Sequence, residues 1–421
     1  MYVLSDRSGR RRPTGQEGNT SMANEDRGVG GIDSHLDTIH VAVIDANGRE
    51  VADHEFPTTT DGYRRAVGWL EGLGPLQGVG VEGTSSYGLG ICAALTDAGI
   101  RVVEVSRTRP AERRRQGKTD QLDAYRAARS VLSGEASTDP KAASVEPLRA
   151  LQVARRSAVK AQQGAGRQLG ALLVNAPARI RDRYRDLPVA RLVTALANTR
   201  PSQVKDSDDA DVLAALRSLA RRHQALADEI SSLQERMAAR VAAANPALLS
   251  IKGVGPVLAA QLLITAGDNP DRLRSSSSFA ALCGTAPIPV SSGRTDRHRL
   301  SRGGDRAANC ALHQIVKVRM ITDARTQAYR DERLAKGWTK KAVYRALKRA
   351  VVREVFRALI GRYEIPDHRD LRPARHAKNL TLAAAATGLN VWPSTLSDLE
   401  LGKRRDDTLA DTYRNWLSSA A

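Results

Sequence analysis

The chain has 421 residues, enough for about three folded units of roughly 150 residues each. It carries 65 Lys and Arg against 46 Asp and Glu, a formal net charge of +19. Such a surplus indicates a polyanionic partner, most often nucleic acid, with a merely solubilising basic surface as the alternative. The surplus is concentrated, since residues 294–375 hold 22 basic and 9 acidic side chains.

Cysteine usage and hydropathy exclude several classes of protein. The three cysteines (Cys92, Cys283 and Cys310) form no CxxC pair, which excludes a disulfide framework and makes a structural zinc site improbable. No apolar run approaches the ~18 residues that a membrane helix needs, so we expect no membrane partner. Residues 1–28 are polar, rich in Arg and Gly and without an apolar signal core, and we predict a disordered tail there.

The first folded region, residues 29–140, alternates strand and helix patterns. Strand patterns cover 29–33, 38–45, 50–56, 78–82 and 101–105, and helix patterns cover 63–73, 89–98 and 119–132. Three consecutive strands followed by β-α-β-α predict an α/β domain, with helices on the faces of a mixed sheet.

Residues 145–245 are predicted to be helical. Their second half contains a heptad seam whose members are spaced alternately by four and three residues: Val212, Leu216, Leu219, His223, Leu226, Ile230, Leu233 and Met237. The pattern fits one helix of an intramolecular bundle and a dimerising coiled coil equally well.

The next region, residues 246–362, is mainly helical and basic. Lys252, Gly253 and Gly255 lie between two apolar helices, where exposed backbone N–H groups at a helix N-terminus suit a phosphate. A basic helix at 339–360 is predicted to contact phosphates through Lys340, Lys341, Arg345, Lys348, Arg349, Arg353 and Arg357.

Four carboxylates form the first candidate site. Asp33 and Glu82 end strands, and Asp120 and Asp123 are three residues apart on one helix, so that this pair faces the same way. If the four converge they need cations, and Mg²⁺ prefers such oxygen ligands. Two ions would activate a nucleophile and stabilise a leaving oxygen on phosphate. The alternative is ordinary surface and cap residues, with Asp120 as a helix cap.

A serine and the arginines that follow it form the second candidate site. Ser291 and Ser292 precede Gly293 in a loop, which is either an ordinary turn or a presented hydroxyl that needs activation. Guanidinium groups would stabilise charge that develops at phosphorus, and five follow: Arg294, Arg297, Arg299, Arg302 and Arg306.

These motifs together resemble a group of DEDD transposases, insertion-sequence family one-ten, the bridge-RNA-guided recombinases. The acidic segments are GID at 31–33, VEGTSSY at 81–87 and KTDQLDA at 118–124. The later segments are GVGP at 253–256, LCGTAP at 282–287, SG at 292–293 and RLSRGGDR at 299–306. Order and spacing match over about residues 29–362, although the family's Glu is usually followed by Ala-Thr-Gly and here by Gly-Thr-Ser.

The resemblance implies an RNase H-like, RuvC-like domain at 29–140, a coiled-coil linker at 145–245 and a transposase domain with a helix-hairpin-helix at 246–362. It implies Mg²⁺ on Asp33, Glu82, Asp120 and Asp123, with Ser292 attacking DNA to form a phosphoserine. It further implies DNA partners (element ends and target), a non-coding guide RNA, a homo-oligomer (dimer or tetramer) with composite active sites, and a bacterial cytoplasmic, nucleoid-associated location.

The chain continues beyond the family's usual end, and residues 376–417 resemble a small all-α helix-turn-helix of the Cro/repressor type. Residues 381–387 would be its first helix and 393–399 its recognition helix, with a core of Leu382, Ala386, Leu389, Leu396 and Leu399. Ser394 and Thr395 would face the DNA groove, and Lys403 and Arg404 would contact phosphates. A helical packing appendage is the alternative.

Two other functions stay open at this point. A metal-dependent, structure-specific nuclease of the junction-resolvase type would use the four acids and water, leaving Ser292 idle. A non-catalytic DNA-binding regulator would depend on residues 376–421 alone and would not need metal. An inactive copy of a transposase is also compatible with the sequence.

Overall fold

The computed structural model of the chain describes residues 27–84, 86–105, 119–141, 145–267, 273–290, 298–301, 303–365, 367–402 and 406–419. The tail predicted at residues 1–28 lies almost wholly outside these ranges. The chain divides into two compact units, Met1–Lys141 and Ala142–Ala421. Within the described residues, no helix combines the length and the apolar character needed to cross a membrane.

Among the described residues, the first unit contains one five-stranded sheet. Its strands are β1 (Gly28–Ser34), β2 (Thr38–Ile44), β3 (Glu50–Pro57), β4 (Leu76–Glu82) and β5 (Val102–Val105), in the order β3-β2-β1-β4-β5. The first three strands are antiparallel, whereas β4 runs parallel to both β1 and β5. The predicted mixed sheet is therefore confirmed.

Helices cover both faces of this sheet, as predicted. They are α1 (Thr60–Gly72), α2 (Leu89–Asp97) and α3 (Asp120–Leu132). One face packs Ile32, Val41 and Val81 against the apolar sides of α1 and α2. The other face packs on α3 through smaller residues, among them Ala124 and Ala128. Helix α1 begins three residues earlier than the apolar spacing predicted, because Thr59 caps it by accepting from the Gly62 N–H at 3.0 Å.

The contact between α3 and the sheet is unusually close at Gly31 of β1. A Cβ atom at Gly31 would lie 2.1 Å from the Ala124 carbonyl oxygen and 2.4 Å from the Ala128 nitrogen. On the neighbouring strand, a Cβ at Gly80 would lie 2.7 Å from the Ala127 carbonyl oxygen. The helix backbone thus rests directly on two parallel strands, which only glycine permits at this distance.

The second unit begins with a helical hairpin, which we call the arm. Its helices are α4 (Glu146–Asn175), α5 (Ala178–Tyr184), α6 (Val189–Ala197) and α7 (Ser207–Ala244). The seam predicted on α7 packs on α4 of the same chain, with Leu216 beside Leu169 and Leu173 in one cluster. At the other end, Met237 joins the core of the following helices. The intramolecular alternative therefore accounts for this seam.

The middle of the arm contains polar residues around His223, the one polar member of the predicted seam. A Cβ at Gly166 of α4 would lie 3.7 Å from the His223 ring, and Gln162 reaches the His223 carbonyl oxygen at 3.5 Å.

The next helices of the second unit enclose an apolar core. They are α8 (Pro246–Ser250), α9 (Pro256–Ala266), α10 (Ser276–Leu282), α11 (Arg306–Thr322), α12 (Ala324–Ala335) and α13 (Lys340–Leu359). A two-stranded ribbon, β6 (Pro287–Pro289) with β7 (His298–Leu300), lies between α10 and α11. Buried residues of α9, α11 and α13 meet in the core, for example Leu262, Ile315 and Val352.

The C-terminal part folds around a separate cluster of apolar residues. Its helices are α14 (Leu371–Ala377), α15 (Leu382–Gly388), α16 (Pro393–Glu400) and α17 (Asp407–Ser419). The five predicted core residues all belong to this cluster or pack against it. The cluster also contains Leu371, so this part begins earlier than the predicted residue 376. Arg375 donates to both Glu400 oxygens at 2.8 and 2.9 Å, and Tyr413 donates to the same carboxylate at 2.8 Å.

We predict that Gly31→Ala destabilises the first unit, because the new methyl group would push α3 away from β1. Overpacking of this kind costs about 1–3 kcal/mol. The measurement is the free energy of unfolding by urea. Gly68→Ala is the matched control: Gly68 lies inside α1 with nothing within 4 Å of the added atom, so this change should stabilise by about 0.5–1 kcal/mol. Equal stability of the two variants would contradict the close approach of α3.

Candidate metal centre and basic surfaces

The parallel pairing of β1 and β4 brings two of the predicted acids to one end of the sheet. Ile32 pairs with Val81, so the residues that follow them, Asp33 and Glu82, are neighbours at the strand ends. Side chains alternate along a strand, and Asp33 therefore shares the face of Gly31, which is the face covered by α3. Ser34 ties the two strand ends by donating to the Glu82 carbonyl oxygen at 2.8 Å.

The first turn of α3 supplies the other two predicted acids. Thr119 caps this helix, with its hydroxyl 3.3 Å from the Leu122 N–H, so the suggestion that Asp120 is the cap is wrong. Asp120 is the first helical residue and is partly exposed, whereas Asp123 is buried and accepts from Arg126 at 2.8 Å. The cap role belongs to the residue with extended backbone, and Asp120 is already helical.

Three side chains of the described residues meet closely enough to hold a cation. Asp33, His35 and Asp120 each offer a ligand atom, and these atoms all lie within 4.8 Å of one another. His35 Nε2 is 3.1 Å from Asp33 Oδ2 and 3.1 Å from Asp120 Oδ1. The sequence interpretation missed His35, although its place two residues after Asp33 was a usable signal.

Burial raises the pKa of Asp33 above that of an ordinary aspartate. His35 offsets part of this shift, while the carboxylates of Asp123 and Asp120 raise the pKa further. Asp123 is thus close enough to act on the charge of Asp33, although its own carboxylate is held by Arg126. Glu82 is not one of the three groups that meet within 4.8 Å. The structure therefore gathers Asp33 and Asp120 with a histidine, keeps Asp123 nearby and leaves Glu82 at the adjacent strand end.

The donor set of this cluster fits a divalent cation. Two carboxylates supply hard oxygen ligands, and an imidazole nitrogen adds a donor that transition metals accept readily. A cation would also neutralise the buried carboxylate of Asp33, whose ionised form is disfavoured by burial and by its acidic neighbours.

The predicted serine site falls largely outside the described residues. Ser292, Arg294, Arg297 and Arg302 lie there, so the structure gives no account of them. Their flanks are described: β6 and β7 pair antiparallel, with Pro289 opposite His298, and the connecting residues 290–297 include the serine. Arg299 on β7 and Arg306 at the start of α11 are exposed.

The basic helix exists as predicted, but its basic residues differ in exposure. Lys340, Lys341 and Arg345 are exposed on α13. Arg349 is half-buried, 3.4 Å from the Ser276 carbonyl oxygen. Lys348 is only 8% exposed and donates to Asn309 at 2.9 Å. This burial and the bond to Asn309 argue against the predicted contact between Lys348 and nucleic acid.

The predicted phosphate turn is built around Gly253, which has a positive φ of 82°. Lys252 beside it lies 3.4 Å from the Asp323 carboxylate, and its carbonyl oxygen accepts from Arg319 at 2.8 Å. Gly255 is exposed and precedes the first residue of α9. The turn is thus held by a hydrogen bond from Arg319 of α11 and by an ion pair with Asp323 at the end of that helix.

In the C-terminal part, the side chains predicted to read DNA are only partly available. Ser394 is exposed on α16, Thr395 is half-buried, and Lys403 and Arg404 lie outside the described residues. The order of short helices agrees with the prediction, whereas contact with DNA stays a prediction.

We predict that Asp33→Asn removes the thermal stabilisation that divalent cations give to this chain. Because the pKa of Asp33 is raised in the folded protein, its ionisation lowers the stability of the fold as pH rises through that pKa. Asparagine carries no such charge, so without metal the variant should have a Tm at least as high as that of the parent at neutral pH. Tm is measured with and without Mn²⁺. The control is Asp61→Asn, an exposed residue of α1 that should keep the full Mn²⁺ response. An unchanged Mn²⁺ response in Asp33→Asn would exclude the site.

Comparison with known families agrees with this geometry. A transposase model of the DEDD type, named for IS110, matches residues 30–176, which include the candidate metal cluster and α4, the first helix of the arm. A second model, the transposase IS116/IS110/IS902 family, matches residues 245–331, from α8 to within α12. No curated protein gives a significant match. The two matches, in this order along one chain, support its assignment as a DNA transposase of the IS110/IS116 family.

Proposed function

We propose that this transposase cuts and rejoins insertion-sequence DNA with a Mg²⁺-binding acidic site and a nucleophilic serine, Ser292. The observation that carries the proposal is the meeting of Asp33, His35 and Asp120 in the segment that matches the DEDD transposases. Asp123 acts on the charge of Asp33, and Glu82 ends the neighbouring strand, so further carboxylates lie near the cluster, which supports the proposal of a second ion. The RuvC-like, RNase H-like fold of the first unit is part of this proposal.

The bound ions would neutralise charge on the scissile phosphate. The protein's own residues orient that site. Asp33 is rigidly placed by β1, Asp120 by the first turn of α3, and His35 lies between the two carboxylates. Arg126 holds Asp123 at 2.8 Å. Such fixed positions lower the cost of bringing the reacting groups together.

In the covalent step, the Ser292 hydroxyl oxygen bonds to phosphorus as the bond from phosphorus to a sugar oxygen breaks. The serine proton is lost and the departing sugar oxygen gains one. The product is a phosphoserine ester, which keeps the phosphodiester energy. A sugar hydroxyl of another strand then attacks the same phosphorus and releases the serine, so the exchange needs no nucleoside triphosphate.

The partners follow from the charge and from the family. The exposed basic residues of β7, α11 and α13 would bind DNA phosphates at element ends and target. A guide RNA encoded by the element, a homo-oligomeric state (dimer or tetramer) and a nucleoid-associated location in the bacterial cytoplasm complete the proposal. The C-terminal helices would add DNA contacts as a helix-turn-helix through Ser394 and Thr395.

Replacing the serine tests the covalent step. We expect Ser292→Ala to form no protein–DNA adduct on a denaturing gel, with the element's own end duplex, Mg²⁺ and co-expressed RNA, because the attacking oxygen is gone. Binding of the same duplex should persist, since the acids and the basic surface are unchanged. Ser291→Ala is the matched control and should still form the adduct. Cleavage at the parent's rate by Ser292→Ala would favour the junction-resolvase type of nuclease, in which water attacks.

The salt response tests the basic surface. We expect the dissociation constant for a labelled random-sequence duplex to rise steeply with NaCl, since each neutralised phosphate adds about 0.9 to the slope of log Kd against log salt concentration. Lys341→Met should lower that slope by about one. Binding confined to residues 376–421 and insensitive to Lys341→Met would favour a regulator of the helix-turn-helix type.

A further inference from the structure

The ribbon that leads to and from Ser292 is closed at its base by a crossing, which we call the hairpin neck (residues 282–284 and 303–305). The chain enters at Gly284, whose φ is +62°, and a Cβ there would lie 2.6 Å from the Gly303 carbonyl oxygen. Beside this crossing, the Asp305 N–H donates to the Leu282 carbonyl oxygen at 2.6 Å. The two ends of an 18-residue excursion, residues 285–302, are therefore held in direct contact.

Asn309 of α11 holds the entering side of the hairpin neck. Its amide nitrogen donates to the carbonyl oxygens of Cys283 and Gly284, both at 3.0 Å. Its amide oxygen accepts from Lys348 Nζ at 2.9 Å, which fixes which way the amide faces. An amide turned the other way would present its oxygen to both carbonyl oxygens and its nitrogen to an ammonium group.

Lys348 is thus used inside the protein although it belongs to a basic helix. Burial lowers its pKa, and the nearby Arg345 lowers it further. Placing an ammonium group there costs free energy, and the bond to Asn309 offsets part of that cost. Lys341, seven residues earlier on the same helix, is exposed and makes a natural comparison.

Asp305 holds the leaving side of the hairpin neck. One carboxylate oxygen caps α11 by accepting from the N–H groups of Ala307 and Ala308 at 2.7 and 3.1 Å. The other oxygen accepts from the Thr265 hydroxyl at 2.6 Å. Thr265 is 1% exposed on α9, and its oxygen also accepts from Gln261 at 3.2 Å.

The Asp305 contacts continue to the arm. The Gln261 amide oxygen accepts from Arg156 of α4, and Gln152 of the same helix lies 3.4 Å from that oxygen. A line of polar contacts, buried at Gln152, Gln261 and Thr265, therefore runs from the arm through α9 to the hairpin neck. Buried polar groups with fixed partners restrict a structure to one arrangement more strongly than apolar contacts do.

We propose that Lys348 with Asn309, and Thr265 with Asp305, are positioning residues that hold the hairpin neck and thereby orient the segment that carries Ser292. The proposal rests on the proposed role of Ser292. We assign the four residues an indirect role, through the hairpin neck, and not one in the bond-forming step itself. Their loss should slow the covalent step without weakening the contact between the basic surface and DNA, since a shift of 1 Å at a reacting group lowers rates about 100-fold.

The first test compares Lys348→Met with Lys341→Met in the full-length protein. For Lys348→Met we expect the parent's affinity and salt slope on a random-sequence duplex, but adduct formation about 100-fold slower at saturating element-end duplex. For Lys341→Met we expect weaker DNA binding and a salt slope lower by about one. If Lys348→Met instead lowers the salt slope as Lys341→Met does, Lys348 is a phosphate contact and the proposal is overturned.

The second test changes a single hydroxyl group, so the proposal stays testable if Lys348→Met does not fold. Thr265→Val keeps the shape of the side chain but removes the donor to Asp305, and should slow the adduct at unchanged DNA affinity. Thr265→Ser restores the donor and should recover most of the rate. Equal adduct rates for the parent, Thr265→Val and Lys348→Met would overturn the proposal, as would parallel loss of DNA binding and adduct.

Hydrogen exchange separates failure of this proposal from failure of the proposed function. If the parent forms no Ser292-dependent adduct, the nucleophile is wrong, and the neck is judged by exchange alone. Both Lys348→Met and Thr265→Val should then speed exchange of the Asp305 amide, which donates across the neck, while the core amides of α11 keep their protection. Unchanged exchange at Asp305 would show that these contacts do not hold the neck.

Discussion

The candidate metal centre depends on how closely α3 approaches the sheet. Two glycines, Gly31 and Gly80, leave the helix backbone resting on neighbouring parallel strands. That distance carries the first turn of α3 to the strand end where Asp33 lies, and so brings Asp120 to His35. On the far side, Asp53 of β3 accepts from Tyr125 at 3.0 Å and from Gln121 at 2.8 Å, which prevents α3 from sliding along the sheet.

The approach has an electrostatic cost that explains why the site suits a cation. The sheet end places Asp33 in a poorly solvated position and adds the charges of Asp120 and Asp123. Within the protein, His35 and Arg126 offset part of this repulsion. The contact between small residues of β1 and α3 thus has two effects. It brings the residues of the site together, and it creates the repulsion between carboxylates that favours binding of a cation.

Much of the first unit could be predicted from sequence, because its signals are local. Alternating β-branched runs predicted the strands, and the helix pattern over residues 119–132 predicted α3, although its cap is Thr119 and not Asp120. His35 was missed because a lone histidine carries no periodic signal, and only its place two residues after Asp33 pointed to it. The exposure of Lys348 was mispredicted because its charge was weighed above its position on the helix. Val351 and Val352 follow it at helical spacing and are buried, so Lys348 lies on the apolar side of α13. The contacts of Asn309 and Thr265 join residues far apart in sequence, which no local pattern reports.

The hairpin neck also bears on how such a protein can diversify. The contacts that join the ends of the excursion, at Asp305 and Asn309, lie at the hairpin neck and do not depend on the length of the chain between them. Insertions or deletions within residues 285–302 would alter loop-closure entropy only slightly, since that entropy grows slowly with length. Lineages could therefore vary the reach of this ribbon toward different nucleic-acid shapes while inheriting the same anchorage.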